Sequence, residues 1–128
     1  MRPIDAVKSV LGQYADASGR ASRSEFWWWI AAHYGWILLI IAIVLPLSAV
    51  APAAVGPVFI MLWVATAVGM LLLIAPNIAV MIRRLHDTGR SGAYFWTILI
   101  PFVGPIVLIV LWALPGEAGE NMYGPPPG

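Results

Sequence analysis

The chain has 128 residues, 61% hydrophobic and only 10% charged, with a net charge of +1. A water-soluble domain carries about 25% charged residues, so this composition describes one small membrane-embedded domain and excludes a nucleic-acid surface, which needs a broad basic face. Without cysteine there are no disulfides, no thiolate chemistry and no cysteine-based zinc site, and two histidines alone give no reason to expect a metal or another cofactor.

In chain order, residues 3–16 come first. Ile4, Val7, Leu11 and Tyr14 recur at i, i+3, i+7 and i+10, the spacing of one helical face. Pro3 suits the first turn and Asp5 the positive end of the helix dipole. With Lys8 on another face, the expectation is a short amphipathic helix, lying either on the cytoplasmic surface of a bilayer or on the protein's own polar loop.

From Phe26 to Ile82 no residue is charged, which is too long for one crossing, since about 20 apolar residues span a bilayer as helix. The middle of the run, PLSAVAPAAVGP at 46–57, holds three prolines and reads as a loop between a first span at 26–45 and a second at 58–82. The long segment ahead of the run argues for an uncleaved anchor rather than a signal peptide, although Ala49-Val50-Ala51 resembles a cleavage site. Ser22 and Glu25 have capping-box spacing at the start of the first span. Trp27, Trp28 and Trp29 cannot share a face and read as an aromatic belt. Ala31 with Gly35, and Ala65 with Gly69, predict a close approach of the two spans.

Residues 83–92 form a dense polar loop containing Arg83, Arg84, His86, Asp87 and Arg90. A third apolar segment at 93–114 is interrupted by PFVGP at 101–105, and a tail at 115–128 carries Glu117 and Glu120. All seven bases lie ahead of the first span or between the second and third, so the positive-inside rule puts both places in the cytoplasm. The expected fold is all-α: an integral membrane protein with about three transmembrane segments and an N-terminal surface helix, the third segment kinked or re-entrant. A bent span, favoured by length and charge, puts the tail outside. A re-entrant hairpin returns it to the arginines.

Four stretches carry a resemblance: GRASRSEFWWW, PNIAVMIRRLHDTGRSG, IPFVG and PGEAGENMYGPPP, in that order. Together they resemble the bacterial inner-membrane family called domain of unknown function 805. The most specific parts are Arg20 to Trp27, Arg83 to Asp87, and Gly119-Glu120-Asn121 with Tyr123-Gly124-Pro125. Where members usually have an acidic residue, Pro126 stands, and Ala93-Tyr94 follows the loop Ser-Gly where a bulky aromatic is common. The resemblance implies a fold type and a bacterial inner-membrane location, and no established activity; the multi-pass, cytoplasmic-N-terminus orientation is the expectation from the charges.

The polar residues then fall into three candidate sets. Arg20, Arg23, Glu25, Arg83, Arg84, His86, Asp87 and Arg90 lie at one membrane edge, where arginines halt translocation. Glu25 is placed to pair with a loop arginine and Asp87 with Arg20 or Arg23, and arginine forks also suit an anionic lipid headgroup. His33 and Asn77 lie roughly 9–12 Å from that edge at about 1.5 Å per residue, and are expected to meet on the helix interface. Glu120, Asn121, Tyr123 and Gly124 form a tail motif that joins the arginines only if the tail returns. Neighbouring helix positions point about 100° apart, so Asp87 is poorly placed to orient His86, and no nucleophile motif accompanies them. The expected function is therefore a non-enzymatic accessory or scaffold protein binding anionic lipid or a partner protein. A homo-oligomeric transporter or channel component and a lipid-headgroup enzyme are the alternatives.

Overall fold

The computed structural model describes residues 1–128 and is all-helical. Five α-helices run in the order α1 (Pro3–Gly12), α2 (Arg23–Val50), α3 (Pro52–Leu72), α4 (Ile74–Asp87) and α5 (Val103–Ala113), with a 3₁₀ segment, Gly92–Leu99, between the last two. Two of them, α2 and α3, are long and apolar enough to cross a membrane. The chain divides into two compact units: residues 1–29 with 75–128, and residues 30–74.

The second unit is the hairpin of α2 and α3. The expected loop at 46–57 is almost entirely helical: Pro46 lies inside α2, Pro57 inside α3, and only Ala51 leaves helical geometry. Pro52 is the first residue of α3, where a missing N–H matters not at all, and α3 carries Pro57 in its interior, so proline density does not require a loop there. The small pairs do not close the hairpin either, since a Cβ added at Gly35 or Gly69 meets nothing within 4 Å. A polar clasp joins the helices instead: Trp36 Nε1 donates to Thr66 Oγ1 at 3.0 Å.

The second expected span is broken at Leu73, between α3 and α4. Pro76 follows three residues later; it has no N–H for the carbonyl four positions back, and its ring crowds that carbonyl. The break hands residues 75–87 to the first unit.

That unit has its own core, in which Ala6 and Val10 of α1, Ala21, Phe26 and Trp29 of α2, Ala79, Val80 and Leu85 of α4, and Leu108 and Trp112 of α5 are all buried. The rings of Phe26 and Trp112 lie 5.1 Å apart. The face that α1 buries is the one bearing Ala6 and Val10, whereas Ile4, Leu11 and Tyr14 of the periodic stripe are exposed.

The third apolar segment does not run straight. After the 3₁₀ turns, Phe102 adopts φ 61° and Val103 N–H bonds back to the Pro101 carbonyl at 2.7 Å, a strained γ-turn that reverses the chain. Gly104 follows because a Cβ there would lie 1.8 Å from the Thr97 carbonyl oxygen. The returning helix α5 then ends beside α4, where Glu117 N–H donates to the Asp87 carbonyl at 2.8 Å. The segment leaves and returns at the same end of α4.

Candidate functional site

The C-terminal turn of α4 brings the polar loop, the start of α2 and the tail together. The extended stretch ahead of α2 lies against α4, with Ala21 N–H donating to the Arg83 carbonyl at 3.0 Å. Ser22 caps α2 by accepting from Glu25 N–H at 3.1 Å. The other half of the expected capping box does not form, because the Glu25 carboxylate is taken by Ser9 at 3.0 Å and by Arg83 Nη1 at 3.1 Å.

Three arginines are buried here, with Arg83 and Arg84 at 0% exposure. Arg83 Nη1 also donates to Gln13 Oε1 at 3.0 Å, which ties the end of α1 to α4. Arg84 reaches α5: its Nε donates to the Trp112 carbonyl at 2.9 Å, and its Nη2 to the Leu114 carbonyl. Its Nη1 meets the Asp87 carboxylate and the Ala21 carbonyl. Arg20 holds Asp87 Oδ1 at 2.9 Å and hooks the tail through the carbonyls of Glu117, Gly119 and Gly124. Asp87 therefore serves two buried cations at once. Burial works against the Arg84 charge and pulls its pKa down, while Asp87 opposes that pull.

His86 points away from Asp87. Its Nδ1 lies 3.1 Å from the Gly19 carbonyl, and since a carbonyl only accepts, Nδ1 carries the proton. The ring is stacked on Tyr123 with centroids 3.8 Å apart and planes at 1°. Burial lowers the His86 pKa below its ordinary value, with the Gly19 bond opposing. Asn121 completes the tail by donating to the His86 carbonyl at 2.9 Å and to Glu117 Oε2 at 2.7 Å, and Gly124 pairs with Asn121 through the backbone.

Of the expected cluster, then, Arg20, Glu25, Arg83, Arg84, His86 and Asp87 come together, with Asn121, Tyr123 and Gly124 of the tail motif. Arg23 is exposed, the Arg90 guanidinium donates to the Thr88 carbonyl at 3.1 Å, and Glu120 is exposed. Arg20 and Arg84 donate to Asp87 and to main-chain carbonyls, and Arg83 donates through Nη1 to Glu25 and Gln13, while its buried Nε and Nη2 have no hydrogen-bond partner. Asn77 Oδ1 accepts from Trp29 Nε1 at 2.7 Å, and His33 belongs to the other unit. Sequence reasoning missed Trp29, Ser9 and Gln13. The burial of Trp29 was hidden inside a triplet whose other two members are exposed, and Ser9 and Gln13 lie off the apolar stripe.

Residues 14–125 match the sequence profile of a family described as Protein of unknown function (DUF805). The chain is 39% identical over 121 residues to the inner membrane protein YhaI of Escherichia coli (strain K12), covering 93% of this chain and 92% of that one. It is 32% identical over 124 residues to the inner membrane protein YhaH of the same strain, covering 97% of each. The uncharacterized protein YiiR of that strain is 27% identical over 131 residues. No solved structure matches.

Proposed function

Since the chain belongs to the DUF805 family, whose description assigns no activity, its role has to come from its own geometry, and we propose that it is a non-enzymatic accessory protein of the bacterial inner membrane. In this reading α2 and α3 cross the bilayer, the segment 92–113 dips into the cytoplasmic leaflet and returns, and both chain ends lie in the cytoplasm. The first unit then forms a small folded platform on that face, available to a lipid surface or a partner protein.

One observation carries this reading: the buried Arg20 and Arg84 donate to Asp87 and to carbonyls of residues 112–124, and the buried Arg83 donates through Nη1 to Glu25. Such a cluster acts as a staple rather than as a ligand site. Buried ion pairs fix geometry more than they add stability, and what is fixed here is the return of the tail. The bases also sit where the positive-inside rule wants them. Length supports the dip, because the 11 residues of α5 reach about 16 Å at 1.5 Å per residue, half of a bilayer core. His86 fits a structural role, with Nδ1 on the Gly19 carbonyl and its face covered by Tyr123.

The absence of native cysteine makes the test direct. Single cysteines at Ser24, Ala53, Ser91 and Ala118 are treated with a membrane-impermeant maleimide in spheroplasts and after lysis. Ala53 should label in intact spheroplasts and the other three only after lysis. Labelling of Ala118 from outside would overturn the re-entrant topology and, with it, the platform.

A further inference from the structure

Helix α1 has three distinct faces. Ala6, Ser9, Val10 and Gln13 form the docked one, with Ala6 and Val10 buried and Ser9 and Gln13 bonded to Glu25 and Arg83. At about 100° per residue, Ile4, Val7 and Leu11 form a second stripe roughly 130° round from the first, and Asp5, Lys8 and Gly12 a third. The second stripe is apolar and uncovered: Ile4 is 55% exposed, and Leu11 and the adjoining Tyr14 are each 43% exposed.

The docking contacts also set the helix's depth. Glu25 lies in the first turn of α2, and the exposed Trp27 and Trp28 follow within three residues. If α2 crosses the membrane, α1 is tied to the level where water gives way to acyl chains. The charges there favour a negative surface. Within residues 1–29, Arg2 and Asp5 neutralise each other at 2.7 Å, which leaves the exposed Lys8 and Arg23 against the exposed carboxylate of Asp16; the other exposed carboxylates of this unit, Glu117 and Glu120, lie in the tail.

We propose that α1 is an interfacial helix that seats Ile4, Leu11 and Tyr14 in the headgroup–acyl boundary of an anionic leaflet, with Lys8 and Arg23 reaching lipid phosphates. This rests on the membrane reading of α2 above. An apolar flank with a basic neighbour is the pattern of helices that lie in the interface plane, and long basic side chains reach outward to phosphates from such a position. A second copy of the chain is the weaker occupant, because three side chains fall well short of the ~800 Å² per partner that a stable interface buries. The anionic headgroup contact is thereby assigned to α1. Through Ser9 and Gln13 it joins the leaflet to the buried Glu25–Arg83 pair.

The test uses the full chain with a nitroxide on Leu11→Cys, or on Gly12→Cys, where an added Cβ meets nothing within 4 Å. Each is reconstituted into mixed phosphatidylcholine–phosphatidylglycerol vesicles and into phosphatidylcholine alone. Collision rates are read with oxygen, which partitions into lipid, and with a water-soluble nickel chelate. In mixed vesicles Leu11 should show a severalfold higher oxygen-to-nickel ratio than Gly12, and Lys8→Glu should lower it there but not in phosphatidylcholine. Equal ratios at the two sites would put the stripe in water and overturn the proposal. Protection of Leu11 from both reagents would mean a protein covers it, and would overturn the proposal in favour of a second copy. Equal depth in both lipids would overturn the anionic preference. None of these readings depends on which side the tail occupies, so failure here is separable from failure of the topology.

Discussion

Replacing Asp87 by Asn keeps the side chain's shape and removes its charge. In the native chain that carboxylate faces Arg20 at 2.9 Å and also Arg84, with both guanidinium groups buried. Removing one partner of a buried pair costs about 3–5 kcal/mol, because the other charge remains desolvated and uncompensated. The cost should fall on tail docking, since Arg20 holds three tail carbonyls and Arg84 holds that of Leu114. At 1.36 kcal/mol per factor of ten, the open-tail population rises about 10²–10⁴-fold. A glutamyl endopeptidase reads this in detergent. Glu117 and Glu120 lie in the pinned tail, and Glu25, the remaining glutamate, is buried inside α2. Cleavage follows the open population when reclosing is fast, so Asp87→Asn should be cut faster by that factor, and Asp16→Asn, an exposed carboxylate, at the native rate. A native cleavage rate for Asp87→Asn would refute the claim that these arginines depend on Asp87.

Three further outcomes are expected. A Cβ at Gly116 would lie 2.0 Å from Asp87 Oδ2, whereas one at Gly119 meets nothing within 4 Å; Gly116→Ala should open the tail in the same protease assay, and Gly119→Ala should not. Because burial depresses the His86 pKa, the docked state resists a proton that the released state accepts. Docking is therefore unaffected above the ordinary imidazole value of about 6.5 and weakens as pH falls below it towards the lowered value. His86→Gln should flatten that part of the profile when the thermal midpoint is followed from pH 8 to pH 5. Trp29→Phe removes the donor to Asn77 Oδ1 at 2.7 Å and should cost about 0.6–1.7 kcal/mol, the range for polar contacts between membrane helices, measured as a lowered thermal midpoint in detergent.

Much of this arrangement was legible in the sequence where charge and hydropathy act directly. Glu25 and Asp87 are carboxylates at the same edge as the arginines, and each finds one. The Ser22 cap was legible because its spacing to Glu25 is local. The direction of α1 was not, because periodicity finds the apolar face without saying what lies against it. Here the docked face is built from alanine, valine, serine and glutamine, and the greasier stripe is left outside. Helix continuity through Pro46 was hidden because proline lowers helix propensity without deciding the tertiary outcome. The tail has no periodic pattern to read. Its docking depends on main-chain carbonyls, which every sequence possesses, and on glycines that let Asp87 come close.

The hook between Arg20 and the Gly124 carbonyl closes a separation of 104 residues. At a synthesis rate of about 5–20 residues per second, Arg20 waits roughly 5–20 s for its last partner. On the proposed topology α2 and α3 enter the bilayer during that interval, while Arg20, Arg83 and Arg84 still carry unmatched charge and keep their segments from being translocated. Arrival of the chain's end then withdraws those same charges into the interior. Three arginines thus direct insertion first and fasten the product afterwards, so a chain that stops short of the tail should insert correctly yet keep its biogenesis signal exposed, which offers quality-control proteases a physical mark of incompleteness.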